Sequence, residues 1–104
     1  MPGSSDVPVF EALNVPPAAM EQGGVEVLRA VIVDGALHVS LRRAFDDPEG
    51  WGRALAEIVK HVAQIYANET RITREMAANR IIETFAQEMA SDAPAAGAAT
   101  PNRQ

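Results

Sequence analysis

Asp34-Gly35 stands at the centre of Val25 to Leu41, between two apolar runs that match when the chain is folded back on itself. A two-residue Asp-Gly turn between such runs is the strongest short-range hairpin signal. It also fixes a register. Val33 pairs with Ala36, Ile32 with Leu37, Val31 with His38, Ala30 with Val39, Arg29 with Ser40 and Leu28 with Leu41. Successive strand residues point to opposite faces. One face therefore carries Leu28, Ala30, Ile32, Leu37, Val39 and Leu41, closed by an opposite-charge pair of Glu26 and Arg43. That face is expected to be the core, because a one-residue slip would mix it with the other set.

The reverse face carries Val27, Arg29, Val31, Val33, His38, Ser40 and Arg42. Antiparallel sheets often leave one face wet, and β-branched residues occur there through propensity alone. The bland reading is a solvated face. The sharper ones are a partner-binding face or an anion site built from Arg29, His38, Ser40 and Arg42.

Two helices are expected after the hairpin. Asp46-Asp47-Pro48-Glu49 supplies a cap, a first-turn proline and an acid at the positive end of the dipole. Trp51, Leu55, Ile58, Val62 and Ile65 then recur at spacings of four and three, an apolar stripe on a helix from Pro48 to about Asn68. Thr73 is a plausible cap for a second helix ending near Ser91, with a looser stripe of Met76, Ile81, Ile82, Phe85 and Met89.

The chain of 104 residues is thus expected to be one α+β domain over 25–90. An antiparallel hairpin packs on two C-terminal helices, in ββαα order. Residues 1–7 and 91–104 are expected to be disordered, because they hold too few large apolar side chains to offset ordering entropy. Residues 8–24 read as an extended arm stiffened by Pro16-Pro17, with 8–15 able to add a third strand.

The strand Leu37-His38-Val39-Ser40-Leu41-Arg42, the helix start Asp47-Pro48-Glu49-Gly50-Trp51-Gly52 and the helix from Leu55 through Ile65-Tyr66 carry a resemblance. So do Glu26-Val27-Leu28-Arg29 and Val15-Pro16-Pro17. Over roughly 25–67 the chain resembles a family of short bacterial proteins known only as a domain of unknown function. The resemblance implies a small hairpin-plus-helices domain. It brings no catalytic or ligand-binding residue to carry over.

Little in the sequence points to catalysis. The net charge is −5, which argues against binding nucleic acid or an anionic membrane surface. There is no cysteine, so neither disulfides nor thiolate chemistry is expected. The opening residues lack the basic and apolar regions of a signal peptide, and the expected compartment is the cytoplasm. His38 and Ser40, two apart on one strand, are not aimed at each other as nucleophile and base. Glu57 and His61 share a helix face and read as a surface ion pair rather than metal ligands. No cofactor and no metal is expected.

A lone hairpin is marginal in water, two helices can cover only one of its faces, and its edges carry no proline. A homodimer is therefore expected, through strand pairing or through the second helix. An exposed Met76, Ile82, Phe85 and Met89 stripe would favour the helical version. The function expected is that of a non-enzymatic interaction or regulatory module with an unknown protein partner. It would use Arg29, His38, Ser40 and Arg42 or a strand edge. The alternative is a binder of a small anionic ligand in a pocket between sheet and helices near Trp51, with Arg42 or Arg43 as the charged group.

Overall fold

The computed structural model describes residues 7–102, so the disorder expected for 1–6 and for the last two residues lies outside the described range. The chain order is α1 (Pro17–Gln22), β1 (Leu28–Val33), β2 (Ala36–Arg42), α2 (Glu49–Glu69), α3 (Arg74–Ala90) and β3 (Ala99–Asn102). The α+β class and the ββαα core order are those expected.

Asp34 and Gly35 both take positive φ, 52° and 80°, as a type I′ turn demands. Gly35 does so without the steric cost that a Cβ would bring. The resulting register is the expected one throughout, from Val33↔Ala36 to Leu28↔Leu41. Beyond it Glu26 pairs differently. Its carboxylate meets Arg29 at 3.2 Å, and its carbonyl accepts from Arg42 Nε at 2.9 Å. The expected closing pair with Arg43 is replaced by these two contacts.

Two segments depart from the sequence reading. Residues 8–15 form no strand, and Pro17 opens the short helix α1. The physical reason is that proline at the first helical position loses no hydrogen bond and has its φ preset. The third strand comes instead from the far end of the chain. Ala99–Asn102, within the stretch expected to be an unstructured tail, pairs in parallel with Val39–Arg42, giving the sheet order β1-β2-β3. Val39 N–H also donates to the Ala98 carbonyl at 2.8 Å. Gly97 lies so close to the Leu37 carbonyl that a side chain there would overlap it.

The helices end near where the spacing puts them. Thr73 caps α3 by accepting from Met76 N–H at 3.1 Å. Asp47 does not cap α2: its carbonyl, not its carboxylate, accepts from Gly50 N–H at 3.0 Å. The start of α2 is held by a corner instead. The Arg43 carbonyl accepts twice, from Phe45 N–H at 2.7 Å across Ala44 (φ 66°) and from Trp51 Nε1–H at 2.6 Å. The Phe45 and Trp51 rings meet edge to face, 5.6 Å apart at 89°. Gly50 is buried under Phe45, and a Cβ there would lie 2.5 Å from Cγ of that ring.

Packing is where the chain departs most from expectation. Among the described residues only Ala63 of α2 and Ala77 of α3 are buried hydrophobic residues. These small side chains form the seam between the helices. No Cα of the sheet lies within 8 Å of a Cα of α2 or α3. The expected core face of the hairpin is open at its turn end, with Ile32 67% and Leu37 50% exposed. Leu28, Val39 and Leu41 are half-buried. The corner at 43–50 thus joins the sheet to a helix pair that does not pack on it.

The corner yields two expectations. Trp51→Phe removes the indole donor from the Arg43 carbonyl and should lower stability by about 1 kcal/mol. Gly50→Ala forces Phe45 aside and should cost about 1–3 kcal/mol. Urea unfolding followed by far-UV circular dichroism checks both, and unchanged midpoints would mean that the corner does not hold the helix start. A truncation ending at Ala96 should expose the β2 edge and promote aggregation. Light scattering on heating would test this, and behaviour identical to the full chain would count against a protective role for β3.

Candidate functional site

The residues proposed from sequence come together only in part. Arg29, His38 and Ser40 line one shallow depression of about 120 Å³ on the charged face of the sheet. The register explains it: Arg29 lies opposite Ser40, and Val31 opposite His38. The parallel strand extends the first of these rows, because Ser40 pairs with Thr100. Ala98 and Thr100 complete the rim. Sequence reading missed these two residues, since nothing in Ala99-Thr100-Pro101-Asn102 alternates.

The charges in this depression are already engaged. Arg29 is half exposed, bonds the Glu26 carboxylate and lies over the Phe10 ring at 5.9 Å. Arg42 is turned to the Glu26 carbonyl and does not line the depression. Trp51 belongs to the corner, bonded to the Arg43 carbonyl and edge to face with Phe45, and does not line this depression.

A second hollow, of about 450 Å³, lies between α2 and α3. It is lined by Tyr66, Ile72, Ala77, Arg80, Ile81 and Thr84. It is wide and mostly apolar, with the Arg80 side chain as its one charge. The signal that would have found it is Ala77: a small residue on the α2-facing side of α3 leaves room that a larger side chain would fill.

Titration chemistry is sparse. The Glu75 carboxyl is held below the usual carboxylate range, first by backbone hydrogen bonding at the start of α3 and then by Arg74. This stabilises a helix terminus in the expected sense for an acid in the first turn. His61 Nε2 stands 3.8 Å from Glu57 Oε1 in a fully open pair, as the spacing suggested. No cluster of three or more metal-ligating side chains occurs among the described residues. No helix among the described residues is long and apolar enough to cross a membrane.

The largest distinctive feature is apolar surface. Ile82 (55%), Phe85 (53%) and Met89 (71%) stand exposed along one face of α3, with Met76 near its start. Leu55, Ile58 and Ile65 of α2 are open as well. The accessible surface is 9131 Å², whereas a compact monomer of 11.1 kDa exposes about 5,700 Å². The radius of gyration is 16.7 Å against about 13 Å for a compact chain of this length. Part of the excess belongs to 7–16 and 91–96, which are exposed throughout, and the rest to the uncovered faces.

No curated protein matches the chain. A solved structure from Rhodopseudomonas palustrus CGA009, described as "a putative pyruvate dehydrogenase from the photosynthetic bacterium", is 36% identical to it. The match covers 86% of this chain and 94% of that one, with a TM-score of 0.71. The sequence pattern of the family "Domain of unknown function (DUF5076)" matches residues 12–93. The hairpin, the corner and both long helices fall inside that match, and the chain belongs to this family.

Proposed function

We propose that this chain is a non-enzymatic interaction or regulatory module that works as a homodimer. The observation that carries the reading is the uncovered apolar surface of the helices, Ile82, Phe85 and Met89 of α3 and Leu55, Ile58 and Ile65 of α2. Stable interfaces bury about 800 Å² per partner, and obligate homodimers more, through apolar faces like the cut half of a core. Soluble monomers rarely leave contiguous apolar patches of this kind. The exposed α3 stripe supports coverage by helices of a second copy. Its methionines suit such a surface, because they adapt to irregular contacts. The cysteine-free composition and mild acidity suit a cytoplasmic protein.

The description of the Rhodopseudomonas structure belongs to that protein. The non-enzymatic reading here rests on the apolar surface of this chain, and Arg29, the arginine of the sheet depression, is paired with Glu26. The anionic-ligand reading has weaker support, from the Arg29, His38 and Ser40 depression alone.

Light scattering coupled to gel filtration tests the dimer. A dimer mass is expected at micromolar concentration, and a monomer mass would overturn the reading. Ile82→Glu with Phe85→Glu buries charge in the proposed contact and should weaken self-association by about a hundredfold, some 2.7 kcal/mol. Unchanged association would exclude the α3 face. A thermal-shift screen with small carboxylates, pyruvate among them, tests the alternative. A large, saturable shift that Arg29→Glu abolishes would favour a ligand-binding function.

A further inference from the structure

The two edges of the sheet are not alike. The outer edge of β3 belongs to a four-residue strand that carries Pro101, which has no N–H to offer. Short, proline-bearing edge strands resist addition. The outer edge of β1 has no such guard. It runs six residues, Leu28–Val33, with no proline and one charge, Arg29. The arm before it reaches Arg29 only through the Phe10 ring, and no backbone hydrogen bond joins 7–16 to β1 among the described residues.

Which groups are free on that edge follows from the ladder. Arg42 N–H donates to the Val27 carbonyl at 3.2 Å, so Val27 and Arg42 form a hydrogen-bonded pair. Such pairs alternate along an antiparallel ladder. Arg29, Val31 and Val33 therefore face β2 with their polar groups. The N–H and C=O groups of Leu28, Ala30 and Ile32 point outward and have no partner among the described residues.

We propose that β1 pairs antiparallel with β1 of a second copy about a twofold axis through Ala30. This rests on the homodimer reading above and names its first contact. In that register Leu28 faces Ile32 of the other copy, Ala30 faces Ala30 and Ile32 faces Leu28. The outward groups of all three residues on each strand are then satisfied by the strand of the other copy. Arg29 stands across from Val31. The ladder stops where Glu26 would meet Asp34, a like-charge pair. The twofold axis runs through the sheet, so the apolar faces of both copies lie on one side of a continuous six-stranded sheet. That joined face is what the exposed helix stripes have room to cover.

The chain has no cysteine, which makes the test clean. Ala30→Cys in the full chain puts two thiols across a hydrogen-bonded pair, with Cα atoms about 5.5 Å apart, inside the range a disulfide spans. Under mild oxidation at micromolar protein, it should cross-link about a hundredfold faster than Glu57→Cys on the exposed face of α2, because pairing raises the local concentration into the millimolar range. Ala30→Ser, compared by circular dichroism and scattering, checks that the position tolerates a small polar group. A dimer mass with fast Ala30→Cys cross-linking supports the proposal. A dimer mass with cross-linking no faster than that of Glu57→Cys overturns strand pairing and leaves the homodimer standing. A monomer mass overturns both.

Discussion

The positive φ angles at Asp34 and Gly35 set the alignment of β1 on β2, and nearly everything else is downstream of that alignment. It decides that Leu28, Ile32, Leu37 and Leu41 share a face. It brings Arg29, His38 and Ser40 to one depression. It decides which backbone groups of β1 face outward. A register slip of one residue would exchange the two faces and dissolve all of these statements together.

The chain meets the local requirements of folding better than the global one. Its ladder is paired, Thr73 caps its helix, and the corner at Arg43 is bonded twice. Among the described residues its buried positions are only Gly50, Ala63 and Ala77. Sheets and helices with apolar faces normally find their cover within one domain. Here the corner turns the helix pair beside the sheet, and two apolar surfaces are left uncovered. That combination suits a protomer whose interior is completed by another chain.

The sequence was legible where the chemistry is local. The Asp-Gly turn, the Thr73 cap and the four-and-three spacing from Trp51 to Ile65 each specify their element through near neighbours. Ala99-Thr100-Pro101-Asn102 was illegible because its strand character comes from β2, sixty positions earlier, and proline ordinarily argues against a strand. Trp51 falls in the helix stripe by its spacing, but its bond to the Arg43 carbonyl depends on the turn at Ala44, whose positive φ nothing in the sequence signals. The candidate site was half legible: the hairpin register brought Arg29, His38 and Ser40 together, while Arg42 was diverted to the Glu26 carbonyl. Apolar patterning identifies which side chains avoid water. It does not say which chain shelters them.

The parallel strand also has a kinetic meaning. The hairpin and the helix pair close over short stretches of chain, whereas Val39 and Ala99 meet only after sixty residues have been brought round. Loop closure over such a span carries an entropy cost that the local elements escape. By that cost β3 is expected to join the sheet later in folding than the hairpin and the helix pair form.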